Sequence, residues 1–358
     1  MTQLDEPLDL LRGPEWINRI ALAPMTNQQS NADGSLREDE ARWLEMRAHG
    51  GFGMVMTCAS HVSPEGQCWP GQLGIWNDDL IPGLTRVASA MRDAGSRAIV
   101  QLHHGGRRAN SDLTGLPVLA PFNDERTGAR ALSTTEAERI IGDYIAAARR
   151  AERAGFDGVE VHGAHGFLVG QFLDIGNIHR NDRFGGSFAN RTNFLFDILE
   201  RIRASTGPQF QVGLRLDPER GGIILSESTS VVAKVMASGL VDFIDMSMKD
   251  TFKLPDEEEH AGRPLLEYFT ELPRGDVRLG VAGHVLSGPA AQKCLDRGVD
   301  FVLIGTAGVI HHDFAQRVLT DPTFVSSPKP VTVEHLRREG VGELFIRYLT
   351  DDWVNFVA

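Results

Sequence analysis

Residues 133–165 read STTEAERIIGDYIAAARRAERAGFDGVEVHGAH, and this stretch decides the fold class. Its first part, at 134–154, carries apolar residues at helical spacing. Ser133 and Glu136 have the spacing of a capping box that starts such a helix. The glycines that follow lead into a short apolar run at 158–165, which is typical of a strand buried on both faces. The stretch is therefore one helix and one strand of an α/β protein.

The same alternation continues along the chain in both directions. We predict strands at residues 19–25, 53–60, 97–104, 158–165, 211–217, 241–248, 278–284 and 301–305. We predict helices at residues 38–50, 80–94, 134–154, 190–205, 226–238 and 289–297. Eight strands that alternate with helices and are apolar throughout predict a (β/α)₈ TIM barrel.

We expect residues 1–358 to form a single domain. The barrel accounts for about residues 19–319, and two segments exceed a minimal barrel. Residues 107–132 follow the third strand, so we expect them to shape the mouth where ligands bind. Residues 328–358 form a C-terminal extension that would cover one end of the barrel or contact a second subunit.

The composition excludes several classes of protein. Hydrophobic residues make up 42% of the chain and charged residues 23%, which excludes disordered and fibrous proteins. The formal net charge is -12, with 36 Lys and Arg against 48 Asp and Glu, and the basic clusters are as short as Arg107-Arg108. We therefore expect no nucleic acid partner, because such partners require a basic surface.

The sequence also bears on location and metal binding. The first ten residues are acidic where a signal peptide would be basic, and no apolar run reaches the roughly 18 residues of a membrane helix. We expect a cytoplasmic protein with no membrane partner. The three cysteines lack C-x-x-C spacing, which argues against a disulfide framework and against a thiolate metal site.

Functional side chains of TIM barrels lie at the C-terminal ends of the strands. The candidates there are Pro24, Met25, Thr26, Ala59, Gln101, His162, His165, Arg215, Gly283, Gly305 and Thr306. Amide, imidazole and guanidinium groups dominate this set. A metal hydrolase is one interpretation, since His162 and His165 could act as ligands, but the charge of Arg215 on the neighbouring strand opposes a cation. We expect no metal.

Arg215 is better suited to a group that becomes anionic. A flavin is neutral when oxidised and can become anionic when reduced, so a guanidinium beside its pyrimidine ring would stabilise the reduced form. Gln101 could both donate to and accept from the amide-like edge of the ring. Ala59 would let the ring lie close to the backbone. Turns at Gly283 and Gly305 fall where such barrels commonly bind a phosphate.

Five motifs carry a resemblance to a known family. They are RIALAPMT at 19–26, GIW at 74–76, QLHHGGR at 101–107, AGFDGVEVHGAHG at 154–166 and HRNDRFGGS at 179–187. Together they resemble the old yellow enzyme family of FMN-dependent NAD(P)H oxidoreductases, and the resemblance runs from Arg19 to about Leu319.

The resemblance implies a cofactor and a reaction. FMN would lie at the barrel mouth, with Pro24, Met25, Thr26, Ala59, Gln101 and Arg215 around the ring and ribityl chain, and with Gly283, Gly305 and Thr306 near the phosphate. His162 and His165 would bind the carbonyl or nitro oxygen of a small electron-poor substrate. NAD(P)H would reduce the flavin, which would pass hydride to an activated alkene. The family also suggests a homo-oligomer.

Two positions depart from the family pattern. Most members carry a proton-donating Tyr where this chain has Phe167, and an Arg that pairs with the FMN phosphate where it has Thr306. Lys249 is a candidate replacement for that phosphate contact. Two alternatives therefore stay open: a dehydrogenase or demethylase in which the substrate reduces FMN, and a ligand-binding barrel that has lost catalysis.

Overall fold

In the computed structural model, which describes residues 3–358, eight parallel strands close into a barrel. They are β1 Ile20–Leu22, β2 Met54–His61, β3 Arg97–His103, β4 Gly158–Gly163, β5 Gln211–Leu216, β6 Phe243–Ser247, β7 Arg278–Ala282 and β8 Phe301–Ile304. Each strand pairs with its neighbours in the sequence, and β8 pairs with β1. The predicted TIM barrel is confirmed.

The helices lie between and after the strands. They are α1 Glu38–His49, α2 Ile81–Asp93, α3 Ser111–Thr114, α4 Thr134–Arg153, α5 Leu168–Leu173, α6 Phe188–Ser205, α7 Leu225–Ser238, α8 Glu267–Thr270, α9 Gly288–Asp296, α10 Thr306–Ile310, α11 Phe314–Thr320, α12 Val333–Arg338 and α13 Glu343–Asp352. The capping box predicted at Ser133 and Glu136 is present at the start of α4. In the part of the chain described here, no helix is long and apolar enough to cross a membrane.

All eight predicted strands exist, but most end earlier than predicted. The run at 158–165 is a strand only as far as Gly163, because the chain turns there and His165 has a left-handed backbone with φ of 60°. Strand β1 is shorter still, at Ile20–Leu22. The residues beyond each strand end therefore belong to the loops at the barrel mouth.

Aromatic rings fill the lower half of the barrel. Phe243 lies against Gly213 and Phe301 against Gly280; a Cβ at either glycine would come within 2.2 Å of the opposing ring. The indole of Trp16 meets these two rings edge-on, with centroids 5.4 and 4.9 Å away, and closes the N-terminal end of the barrel. This apolar floor leaves the polar side chains to the C-terminal half.

The two extra segments pack on the barrel. Residues 107–132 contain α3 and a small sheet formed by Leu119–Ala120 and Arg130–Ala131. The C-terminal extension packs against α1, where the rings of Trp43 and Phe345 lie 5.7 Å apart. Buried Arg47 of α1 donates to the carbonyl oxygen of Glu339 at 2.7 Å. The extension therefore folds back toward the barrel mouth.

Candidate active site

A cavity of about 220 Å³ opens at the C-terminal ends of the strands. Six of the predicted site residues line it: Pro24, Met25, Arg215, Gly283, Gly305 and Thr306. Ser247, Lys249 and Trp353 line it as well. The barrel thus brings together residues that are far apart in the sequence.

Gly283 and Gly305 in the cavity wall differ in the space around them. A Cβ at Gly283 would lie 2.4 Å from the backbone oxygen of Met248, so the protein's own packing requires glycine there. A Cβ at Gly305 would meet, within 4 Å, only the sulfur of Met25 at 3.7 Å. Among residues 3–358, the position of a Cβ at Gly305 is therefore open space in the wall, where a ligand can approach the backbone.

Arg215 lies among buried carboxylates that sequence reasoning did not assign. Its Nε is 3.0 Å from Asp245 Oδ2, and its Nη1 donates to the backbone oxygen of Pro24 at 3.4 Å. Gln101 Nε2 donates to Glu160 Oε1 at 2.7 Å. Burial raises the pKa of both Glu160 and Asp245, and Arg215 opposes both shifts. Arg215 thus favours the charged form of both acids, whereas burial favours the neutral form.

The paired histidines stand beside this polar layer. The rings of His162 and His165 lie 5.0 Å apart and nearly perpendicular. The backbone N–H of Ala164 donates to His162 Nδ1 at 3.3 Å, which assigns the proton of the neutral ring to Nε2. His165 Nε2 lies 2.7 Å from the hydroxyl of Ser247. A neutral N–H donor of His162 therefore has no partner within residues 3–358.

Both imidazoles are neutral near pH 7. Burial lowers the pKa of His162 well below its usual value, and the nearby His165 and His103 lower it further. Burial and then Arg215 lower the pKa of His165 as well, although its side chain is 34% exposed and solvent weakens that effect. The pair can donate hydrogen bonds to an oxygen but carries no formal charge.

Asp217 holds the backbone of His165 in place. Its Oδ2 accepts the backbone N–H of His165 at 2.5 Å, which supports the left-handed conformation of that residue. Burial raises the pKa of Asp217 to about 6. This carboxylate was not among the predicted site residues, although it is the residue that directly follows β5.

An aromatic cluster forms the next part of the mouth. The ring of Phe167 lies 4.3 Å from that of His103 and 5.1 Å from that of His162. The guanidinium carbon of Arg108 lies 4.5 Å from the centre of the Phe167 ring. Sequence reasoning treated Arg108 only as part of a short basic cluster. The Phe167 ring therefore contacts both a cation and two imidazoles.

Five of the predicted site residues lie outside the cavity lining: Thr26, Ala59, Gln101, His162 and His165. Ala59 pairs with Gln101 across β2 and β3, where an irregularity between Met56 and Ala59 shifts the register. Its backbone oxygen accepts from Gln72 Nε2 at 2.8 Å, which fixes the strand end. Such bulges commonly redirect a strand next to a functional site. Thr26 is half-buried and follows Met25.

Two other features were candidates for a functional site: a surface cleft and groups of possible metal ligands. Neither contains the predicted histidines. An open cleft of about 500 Å³ lies between residues 121–134 and 176–182, and no barrel strand ends in it. Within residues 3–358, three groups of His, Asp or Glu side chains are close enough to share a cation, and none includes His162 or His165. The barrel mouth remains the candidate site.

Comparison with known proteins identifies the family. Residues 3–318 match the NADH:flavin oxidoreductase / NADH oxidase family. The chain belongs to this family of flavin oxidoreductases. It is 33% identical over 337 residues to the probable NADH-dependent flavin oxidoreductase YqiG of Bacillus subtilis, covering 91% of this chain and 87% of that protein. The flavin oxidoreductase predicted from the motifs is confirmed.

Further relatives agree with this assignment. An NADPH dehydrogenase of Bacillus subtilis is 30% identical over 328 residues, covering 88% of this chain and 94% of that protein. The solved old yellow enzyme homologue from Zymomonas mobilis superposes with a TM-score of 0.78 at 27% identity, over 94% of this chain and 96% of that one. This flavin oxidoreductase is therefore an enzyme that uses NADH or NADPH.

Some residues that line the cavity of this oxidoreductase lie outside the family motifs. Thr306 and Lys249 face the same cavity, which is the arrangement expected if Lys249 replaces the missing Arg. Trp353 comes from the C-terminal extension, far beyond the last motif, and no pattern in the sequence pointed to it. Glu160 and Asp245 could have been noticed as acids inside otherwise apolar strands.

Proposed function

We propose that the protein is an FMN-dependent reductase that takes hydride from NAD(P)H and reduces an electron-poor alkene such as an enone. The unpaired, neutral N–H donor of His162 is the observation that carries this proposal; it lies beside His165, next to the cavity residues Arg215 and Ser247. Such a donor, with the imidazole of His165 beside it, suits an oxygen that gains negative charge as its conjugated double bond accepts hydride.

The residues at the strand ends fit FMN. Arg215 supplies a cation for the pyrimidine end of the ring, and Gln101, which gives its amide N–H to Glu160, keeps its oxygen as an acceptor. The open backbone at Gly305 fits a close approach by the cofactor. Lys249 and Thr306 would face its phosphate. Bound FMN would supply the relay that takes hydride from NAD(P)H and gives it to the acceptor.

The histidines would position and polarise the acceptor. His162 Nε2 and an N–H of His165 would hold its carbonyl oxygen, which draws electron density away from the β-carbon. Reduction adds a hydride to that carbon and a proton to the α-carbon. The Phe167 ring has no proton to give, so water in the mouth would deliver this proton. Enones are therefore expected to react slowly, and quinones, which need no carbon protonation, comparatively well.

The remaining expectations form part of the same proposal. We propose a single catalytic unit over residues 1–358, located in the cytoplasm and assembled as a homo-oligomer. The packing of the C-terminal extension against α1, with Trp353 in the cavity, supports the single unit. Sedimentation equilibrium of the purified protein tests the oligomer, and a monomer at micromolar concentration would contradict it.

The cofactor and the direction of reaction can be tested together. Mass spectrometry of the released cofactor should give FMN, and FAD would contradict the proposed site. Anaerobic NADH or NADPH should bleach the bound flavin, and an enone or quinone should restore its colour. Bleaching by a substrate alone would instead support a dehydrogenase, and no bleaching by either would support a barrel without catalysis.

A further inference from the structure

Arg108 is an exposed arginine that is nevertheless fixed at the mouth of the site. Its guanidinium stacks on the Phe167 ring, 4.5 Å from the ring centre. Its Nη1 donates to the backbone oxygen of His165 at 2.6 Å. The two contacts hold the guanidinium of Arg108 between Phe167 and His165.

The other edge of this guanidinium is free. Within residues 3–358, Nε and Nη2 of Arg108 make no hydrogen bond, and no carboxylate lies within 4.0 Å. The preceding Arg107 differs, because its Nη2 is 2.9 Å from Asp174. The Nε and Nη2 edge is the one that binds a planar carboxylate through two parallel hydrogen bonds.

A second exposed arginine acts on the same histidine. Arg220 follows β5 in the loop that carries Asp217, and in the described chain it also lacks a carboxylate within 4.0 Å. After burial and Arg215, the charges of Arg220 and Arg108 also lower the pKa of His165. Among residues 3–358 most arginines of this acidic protein are ion-paired, and Arg108 and Arg220 are two of those that are not.

We infer that Arg108, assisted by Arg220, selects acceptors that carry an anionic group, such as a carboxylate, beside the reducible double bond. The inference rests on the proposed function. The neutral imidazoles would bind an oxygen of a charged or an uncharged acceptor. Selection between charged and uncharged acceptors would therefore depend on the arginines. With a net charge of -12 the protein repels anions in general, and a local pair of cations reverses that at the mouth.

Benzoate and benzamide provide a matched pair of ligands, since they share a shape and differ in charge. Isothermal titration calorimetry of the holoenzyme should give tighter binding of benzoate, and the preference should shrink in high salt. Arg108→Gln should weaken benzoate binding about tenfold and benzamide binding much less. Arg108→Lys should restore part of the preference, because it keeps the charge and loses the planar edge.

Arg149→Gln is the control for net charge. Arg149 is exposed on α4 and, within residues 3–358, has no carboxylate within 4.0 Å. This variant should bind benzoate as the wild type does. Equal binding of the two ligands by the wild type, or equal losses in Arg108→Gln and Arg149→Gln, would overturn the inference.

Turnover separates this inference from the proposed function. Reduced enzyme should be reoxidised by trans-3-benzoylacrylate and by its ethyl ester, with Arg108→Gln raising KM about tenfold for the acid and less for the ester. A wild type that reduces the ester readily but shows no preference for benzoate would overturn only the role of Arg108. A protein whose flavin is not bleached by NADH or NADPH would overturn the proposed function, while the binding experiment would still decide the role of Arg108.

Discussion

At the scale of single residues, the proposed reduction of an alkene needs two tasks: polarising the acceptor and protonating its carbon. His162 and His165 can polarise an acceptor, whereas protonation of its carbon requires a group with an ionisable proton in the same place. The ring of Phe167 occupies a position 5.1 Å from that of His162 and offers none. In the proposed reaction, Phe167 therefore supplies no proton to the acceptor's carbon.

Phe167→Tyr should supply that acid. It adds one hydroxyl to a ring that is already in place, and positioned general acids contribute about 10²- to 10⁴-fold to rate. Stopped-flow reoxidation by an enone should become faster, while reduction by NAD(P)H should change little. Phe122→Tyr is the control, since its ring also lies near an arginine, with the Arg107 guanidinium 5.7 Å away. No acceleration by Phe167→Tyr would mean that another group already delivers the proton.

Replacing either histidine should affect one half-reaction more than the other. His162→Ala or His165→Ala removes a donor to the developing oxyanion, which commonly lowers a rate by about 10²- to 10³-fold. Reoxidation by an enone should fall by that amount, and bleaching by NAD(P)H should fall less. Equal losses in both half-reactions would indicate that the histidines position the flavin or the loop.

The protonation state of the histidines predicts a pH profile. Because their pKa values are lowered by burial, they stay neutral well below the usual value near 6.5. As pH falls from about 8 to about 6, the rate of reoxidation by a quinone should therefore show no step from these groups. A step near pH 6.5 that disappears in His162→Ala would show that an imidazolium takes part.

At the scale of strands and loops, the sequence predicts which strands exist better than it predicts how their side chains pair. The strands are apolar on both faces, which indicates eight buried strands but removes the alternation that would tell inside from outside. The pairing of Gln101 with Glu160, and of Arg215 with Asp245, therefore could not be read from the sequence of these strands. The irregularity in β2 also has no signature in the sequence. Loop contacts such as Arg108 on Phe167 depend on the turns themselves.

The turns after β7 and β8 give a test at this scale. Gly305→Ala fills space that, among residues 3–358, only Met25 borders within 4 Å, so it should weaken FMN binding, measured by equilibrium dialysis. Gly283→Ala forces a Cβ against the backbone oxygen of Met248 and should lower the free energy of unfolding by about 1–3 kcal/mol. If Gly305→Ala leaves FMN binding unchanged, the cofactor does not approach that turn.

At the scale of the whole molecule, one buried side chain links the barrel to the C-terminal extension. Arg47 of α1 donates to backbone oxygens of Trp43, Gly308, Val309 and Glu339. Two of these lie in α10, directly after the turn at Gly305, and one precedes α13. The position of the cavity wall and that of the extension therefore depend on the same guanidinium.

Arg47→Met should weaken this link. The substitution leaves several buried carbonyl groups without a donor, so we expect the free energy of unfolding in urea to fall by about 2–4 kcal/mol. FMN affinity should fall with it, because α10 and Trp353 both border the cavity. Arg42→Met, an exposed substitution on the same helix, is the control and should leave both quantities nearly unchanged.

Trp353 in the cavity wall also gives the protein an optical reporter. Flavins absorb in the near ultraviolet, where tryptophan emits, so an indole at the edge of the cavity transfers its excitation to a bound flavin. Trp69, whose ring lies 6.3 Å from that of Phe167, is placed to do the same from the other side of the mouth. Departure of the cofactor should therefore brighten the protein's own fluorescence, and most of that signal should vanish when both indoles are replaced by phenylalanine.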